Sequence, residues 1–213
     1  MEVLIDYLAF TDKGHNKEFW LEKLGLQDLK FETGTNRFRW VEHLYTNGVH
    51  VYDDEDGMCG FEFSGTGCRL LETMNCLVFD WYGLIKQLAE GPGSHISRLD
   101  VACDETDGVL TFEKMYRYVK AHKYISRARR AIWTDGDEQS IVFGSSKSDT
   151  RLRIYNKALE RDVPDEHWTQ AEFQFRDDAA ASFSSNWVGQ GGNLGKSFGG
   201  VLIHYLRFHY PAA

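Results

Sequence analysis

Residues 151–157 read Arg-Leu-Arg-Ile-Tyr-Asn-Lys. If they form a strand, side chains alternate between its two faces. Leu152 and Ile154 then face a core, while Arg151, Arg153, Tyr155 and Lys157 share the opposite face. A tyrosine among three cations on a rigid sheet suits attack on a phosphodiester. The cations hold phosphate oxygens and favour the phenolate over the phenol. Taken alone, the pattern also describes an edge strand with a solvated polar face, which is the commoner outcome.

Two further stretches have the same two-faced character. In residues 96–104, Leu99, Val101 and Cys103 alternate with Arg98, Asp100, Ala102 and Asp104. In residues 168–176, Ala171, Phe173 and Phe175 alternate with Gln170, Glu172, Gln174 and Arg176. If the three are neighbours in one antiparallel sheet, Asp100, Asp104 and Glu172 share an exposed surface with Tyr155, Lys157, Arg151 and Arg153. Carboxylates beside such a tyrosine suit a hard divalent cation, Mg or Mn, bound through oxygen. The cation would polarise the scissile phosphate. The alternative is that Asp100 and Glu172 pair with arginines across strands, worth about 0.2–1 kcal/mol each.

The elements that position these residues follow from periodicity and turn chemistry. Residues 2–10 read as a first strand. Asn16 caps a helix that stops at Gly25. Residues 31–63 are a meander, with Asn47-Gly48 as a hairpin turn. Residues 64–69, Ser-Gly-Thr-Gly-Cys-Arg, lack a Walker lysine and dinucleotide spacing and read as a tight turn. Asp80 caps a helix to Leu88, and Thr111 caps one from Phe112 to about Lys123. A strand at 140–144 precedes the tyrosine strand, and an alanine-rich helix starts at Asp177. Residues 189–200 hold six glycines and read as a mobile loop, and residues 201–210 read as a last strand. Strand–helix–strand–strand order recurs, without a convincing internal repeat. The expectation is an α+β fold: antiparallel sheet, helices packed on one face, a charged active-site face on the other. It forms one catalytic domain over 1–213, with a weak subdivision near 91–95.

The 213 residues can bury a real core, and 42% hydrophobic and 14% aromatic content is globular. No apolar run spans a membrane, and the start lacks a signal-peptide pattern. Cys59, Cys68, Cys76 and Cys103 form no CxxC pair and read as reduced thiols in a cytoplasm. Net charge is -8, but residues 114–157 carry eleven Lys/Arg against four acids. That segment is +7 and the remainder -15. A local polyanion site, with Lys147, Arg127, Arg129 and Arg130 beside Arg151 and Arg153, is one reading. A basic helix face paired with acids elsewhere is the other.

The combined pieces resemble the Rep_trans group of rolling-circle replication initiators, known from staphylococcal plasmids, with relatives in phages and in relaxases of conjugative elements. The matching pieces are Ile5-Asp6-Tyr7-Leu8, Ser64-Gly65-Thr66-Gly67-Cys68-Arg69 and Ser97-Arg98-Leu99-Asp100-Val101-Ala102-Cys103-Asp104. They continue with Phe143-Gly144-Ser145-Ser146-Lys147-Ser148-Asp149, Arg153-Ile154-Tyr155-Asn156-Lys157 and Trp168-Thr169-Gln170-Ala171-Glu172-Phe173-Gln174-Phe175-Arg176. They run in the family's order over nearly the whole chain.

The resemblance implies a nuclease–ligase whose tyrosine keeps the 5′ phosphate and frees a 3′ hydroxyl at a replication origin. It implies Tyr155 as nucleophile with Lys157 beside it, metal at Asp100 and Glu172 and more weakly Asp104, a homodimer, and a host helicase as partner. Ser146 and Gln170 stand where many relatives carry arginine. Relatives also continue beyond the last strand, so an isolated catalytic domain or a short phage form is expected. HUH nucleases bind metal through paired histidines around a hydrophobe, and this chain lacks that triplet. A conjugative relaxase would use the same chemistry. A non-catalytic module with an RRM-like sheet would present stacking aromatics instead.

Overall fold

The computed structural model describes residues 1–35, 40–74, 79–136 and 138–209. Cys76, Asp137 and Tyr210 lie outside them. Strand β1 (Glu2–Asp12) leads to α1 (Lys17–Lys23), capped by Asn16 Oδ1, which accepts from the Phe19 N–H. A meander follows: β2 (Glu32–Thr33), β3 (Glu42–Thr46), β4 (Val49–Asp53) and β5 (Cys59–Phe63). Asn47 and Gly48, at φ +42° and +78°, join β3 to β4, the left-handed pair a two-residue hairpin requires.

Helix α2 (Gly65–Met74) then starts at the glycines expected to form only a turn. Gly67 is needed there because a Cβ would lie 2.4 Å from the Gly48 carbonyl oxygen. Helix α3 (Trp81–Glu90) is capped by Asp80 as expected. Next come β6 (Ser94–Glu105), α4 (Phe112–Lys120) with its Thr111 cap, β7 (Tyr124–Ser126), β8 (Ala131–Thr134), β9 (Ser140–Phe143) and β10 (Thr150–Asn156). A short α5 (Lys157–Glu160), β11 (Thr169–Arg176), α6 (Asp177–Gly189), α7 (Leu194–Tyr205) and β12 (Leu206–Phe208) are the remaining elements among the described residues.

Contacts divide the chain into two compact units. One holds residues 5–100 and 176–192, the other residues 1–4, 101–175 and 193–213. In the first, the strand order is β2-β3-β4-β5-β1, with the first half of β6 beyond β1. Its core holds Ile5, Leu8, Phe10, Trp20, Phe61 and Phe63, all at most 1% exposed. In the second, the second half of β6 is followed by β11, β10, β9 and β8. Val101, Val119, Ile141, Phe143, Leu152 and Phe173 are fully buried there, each contributing about 1.5–3 kcal/mol. The three two-faced stretches are therefore sheet neighbours, with β11 between β6 and β10.

The two hairpins share a register. In β4–β5, His50 pairs with Glu62 and Tyr52 with Gly60. In β10–β11, Arg153 pairs with Glu172 and Tyr155 with Gln170. Each unit thus carries a tyrosine two residues after the partner of a glutamate, a recurrence finer than the shared element order.

The C-terminal region departs from expectation. Residues 194–205 are helical and only 206–208 form a strand, where the sequence suggested a glycine loop and then a strand. Asn193 Oδ1 accepts from the Lys196 N–H and starts the helix. Phe198 and Tyr205 pack edge-on against Phe173, at 5.6 and 5.3 Å between ring centres.

Candidate active site

Strand β10 alternates as its sequence predicts. Leu152 and Ile154 enter the core, and Arg153 and Tyr155 take the other face. Antiparallel pairing with β11 sets Gln170 opposite Tyr155 and Glu172 opposite Arg153. The strand ends one residue earlier than expected. Asn156 Oδ1 accepts from the Leu159 N–H and caps α5, so Lys157 opens a helix instead of closing the strand. Its side chain still folds back, and Nζ donates to Tyr155 Oη at 2.9 Å.

The Tyr155 phenol donates to Gln170 Oε1, and Gln170 Nε2 donates to Asp104 Oδ1 at 2.6 Å. The Arg153 guanidinium lies 3.9 Å from the centre of the Tyr155 ring, a cation–π contact. Glu160 accepts from Lys157 Nζ at 2.5 Å and pairs with Arg153 Nη1 at 3.7 Å. A hollow of about 180 Å³ is lined by Arg153, Tyr155, Asn156, Gln139 and Leu159, with Glu160 and Glu138 as its two carboxylates. Asn156 Nδ2 donates to Gln139 Oε1 at 3.0 Å on its wall.

This face is polar but not open. Tyr155 and Gln170 are 2% exposed and Lys157 6%, where a freely exposed charged surface was expected. Burial strengthens the Lys157–Tyr155 and Tyr155–Gln170 bonds, because water no longer screens them, whereas the pairs to Glu160 are partly exposed. The ammonium beside Oη stabilises charge that develops there. The Gln170 carbonyl accepts the phenolic hydrogen and fixes where it points.

The remaining residues fall in several places. Asp104 and Glu172 are partly exposed, and Glu172 lies across from Arg153. Arg151 sits on β10 opposite Gln174, its Nε buried without a hydrogen bond. Lys147 is exposed in the turn before β10. Arg127, Arg129 and Arg130 are exposed in the connection between β7 and β8.

Asp100 belongs to the other compact unit. It is 2% exposed rather than on an open face, and Arg98 holds both its oxygens, Nε to Oδ1 at 3.0 Å and Nη2 to Oδ2 at 2.6 Å. Arg98 also lies 3.9 Å over the Tyr7 ring. Burial, and next Glu62, push the Tyr7 phenol up to about 12, so Tyr7 stays protonated. Among the described residues no three His, Cys, Asp or Glu side chains converge as metal ligands. The expected carboxylates are of the right type for Mg or Mn, but Asp100 is bound by Arg98 and Asp104 by Gln170. They do not fit a preassembled metal site.

Sequence reasoning missed the work of Gln170, placed on the polar face and noted as a departure from relatives but given no role, and of Glu160. The register of β10 on β11 was the signal for the first. The helix N-cap in Asn-Lys-Ala-Leu-Glu, which sets Glu160 one turn after Lys157, was the signal for the second.

The model of the Rep_trans family, described as replication initiation factor, matches residues 94–213, more than half of the sequence. The chain belongs to the Rep_trans family. Its structure is similar to that of the rolling circle replication initiator protein from Geobacillus stearothermophilus, with a TM-score of 0.85 and 25% identity. The match covers all of this chain and 88% of that one. No curated protein matches by sequence. The Rep_trans match includes Tyr155, Lys157, Gln170, Asp104 and Glu160, so the whole tyrosine cluster lies within the family's region. The α+β architecture expected from the sequence is the one observed. Among the described residues no helix is long and apolar enough to cross a membrane.

Proposed function

We propose that this Rep_trans protein starts rolling-circle replication by nicking and later rejoining one DNA strand at an origin, with Tyr155 as nucleophile. The observation that carries the reading is the tyrosine's setting: Oη is held on one side by Lys157 Nζ and on the other by Gln170 Oε1. In the reaction an Oη–P bond forms and the P–O3′ bond breaks. The phenolic proton is lost, the departing 3′ oxygen gains one, and the 5′ phosphate stays on the tyrosine. Lys157 stabilises charge growing on Oη, Gln170 aims its lone pairs, and Arg153 and Arg151 draw in the phosphate. Reversal by a 3′ hydroxyl rejoins the strand. Similarity to a replication initiator favours an origin over a transfer site as target. Acids beside cations favour catalysis over an aromatic binding platform.

Dependence on Mg or Mn belongs to the same proposal, with Asp104 and Glu172 as oxygen ligands that would be completed only by the DNA phosphate, and Asp100, held by Arg98, left out of the set. When bound, the ion would neutralise charge at the scissile phosphate. Assembly as a dimer, recruitment of a host helicase and a cytoplasmic setting are further parts of it. The test is nicking of single-stranded origin DNA by wild type and Tyr155→Phe. Phe keeps the ring but leaves Lys157 and Gln170 without their Oη partner, costing about 1–3 kcal/mol of stability. Loss of nicking with retained DNA binding is expected, and nicking at wild-type rate would refute the assignment.

A further inference from the structure

Glu160 is paired with two of the cations that serve Tyr155. Its two carboxylate oxygens reach the two cations nearest Tyr155: Oε2 lies 2.5 Å from Lys157 Nζ and Oε1 3.7 Å from Arg153 Nη1. Those same groups govern access to the tyrosine. The Arg153 guanidinium lies 3.9 Å from the ring centre, Lys157 binds Oη at 2.9 Å, and Tyr155 is left 2% exposed. A tyrosine closed over in this way cannot meet a phosphorus atom.

Glu160 itself is 41% exposed, at the end of a four-residue helix beside the 180 Å³ hollow that reaches Tyr155. Its side chain can swing to water without unpacking the core. A phosphodiester carries the same charge as a carboxylate and offers oxygens to the same two donors.

Resting on the reading of Tyr155 as a DNA nucleophile, we propose that Glu160 is a carboxylate placeholder for the scissile phosphate. In the free protein it holds Lys157 and Arg153 closed over Tyr155. The incoming phosphate displaces it, takes both cations, and draws Arg153 off the ring. Only a strand that places a phosphate in the hollow opens the site, which protects a reactive tyrosine from chance encounters. Glu160 is thus a positioning residue, and its work is done before the bond changes.

The prediction is opposite to that for a base or a supporting residue: removing the charge should improve binding. The probe is a short fluorescein-labelled single strand of thymidines, titrated into wild type, Glu160→Gln and Glu160→Ala at low salt. The control is Asp162→Asn, an equal charge change at an exposed position with φ +56°, a conformation asparagine tolerates. Two partly exposed pairs lost from the free state predict roughly two- to tenfold tighter binding for both Glu160 variants. The gain should shrink as salt rises, and Asp162→Asn should show none. Equal gains in Asp162→Asn and Glu160→Gln would mean a general charge effect and overturn the proposal. Unchanged or weaker binding in the Glu160 variants would also overturn it. A fall in the covalent step at saturating DNA without tighter binding would make Glu160 a proton acceptor, again overturning it. Adduct formation on a random-sequence pool of single strands is measured in parallel. A wild type that forms none sinks the nickase reading, while the affinity comparison still decides on Glu160.

Discussion

Replacing Lys157 by methionine isolates the ammonium group beside the nucleophile. Lys157 is 6% exposed, so its stem is packed, and Met preserves most of that packing. The substitution removes one charged hydrogen bond to Tyr155 Oη, at 2.9 Å, and one ion pair to Glu160. Glu160 is 41% exposed and is solvated once its partner is gone, so stability should fall by no more than about 1 kcal/mol. The bond to Oη matters far more during reaction, because charge develops there as the proton leaves. A hydrogen bond to a charged group is worth about 1.5–3 kcal/mol. At about 1.36 kcal/mol per tenfold, the covalent step should slow roughly 10- to 150-fold. The assay is the single-turnover rate of protein–DNA adduct formation on labelled single-stranded origin DNA at saturating protein, beside a melting curve and a binding titration. A Lys157→Met protein that melts near wild type, binds DNA and reacts within twofold of the wild-type rate would refute the argument. So would a rate lost only in proportion to unfolded protein.

Three other outcomes are expected. Changing Arg127, Arg129 and Arg130 together to alanine should weaken binding on any sequence and flatten the log–log salt slope by up to about three units. All three are exposed, so the melting temperature should hold, and a lower one with an unchanged slope would mean the arginines serve the fold. Asp104→Asn and Glu172→Gln should each lower Mn affinity, measured by calorimetry with single-stranded DNA bound, with DNA binding itself retained, whereas unaltered affinity in both would remove these carboxylates as ligands. Asp12 is buried, which alone would raise its carboxyl, but bonds from the Gly14 N–H, His15, Trp20 and Ser94 outweigh that and hold it below the ordinary value. Its stabilisation is therefore complete above the unfolded value of about 3.9 and lost as pH falls through the lower folded value. Asp12→Asn should cost about 1.5–3 kcal/mol at neutral pH, with a gap in urea midpoints that narrows below about pH 4. A gap independent of pH would contradict this.

Strands with one apolar and one polar face were legible, because their period of two survives in any context. β6, β10 and β11 came out as neighbours, and the hairpin at Asn47-Gly48 and the caps at Asn16, Asp80 and Thr111 are local chemistry read directly. The failures have tertiary causes. Gly65 and Gly67 read as a turn, but Gly67 is glycine because α2 presses on the Gly48 carbonyl, a contact 19 residues away in sequence. Gly195, Gly199 and Gly200 lowered the helical signal of α7. No atom lies within 4 Å of a Cβ at Gly199 or Gly200, so no close contact there calls for glycine. The cap at Asn193 was the only local sign of that helix. Within the candidate site, alternation named Tyr155 and Arg153 but could not show that their polar face is itself covered. It therefore left Asp100, Tyr155 and Lys157 on an open surface, whereas all three are buried. Gln170 and Glu160 needed register and a helix start, respectively, and neither is a property of one residue.

The most direct measurement is to trap the covalent adduct on labelled single-stranded origin DNA, digest it, and locate the nucleotide by mass spectrometry. The account predicts one modified peptide, with the 5′ phosphate on Tyr155. A nucleotide on Tyr116, Tyr118 or Tyr124, or on Tyr52 at the matching register of the other hairpin, would contradict it.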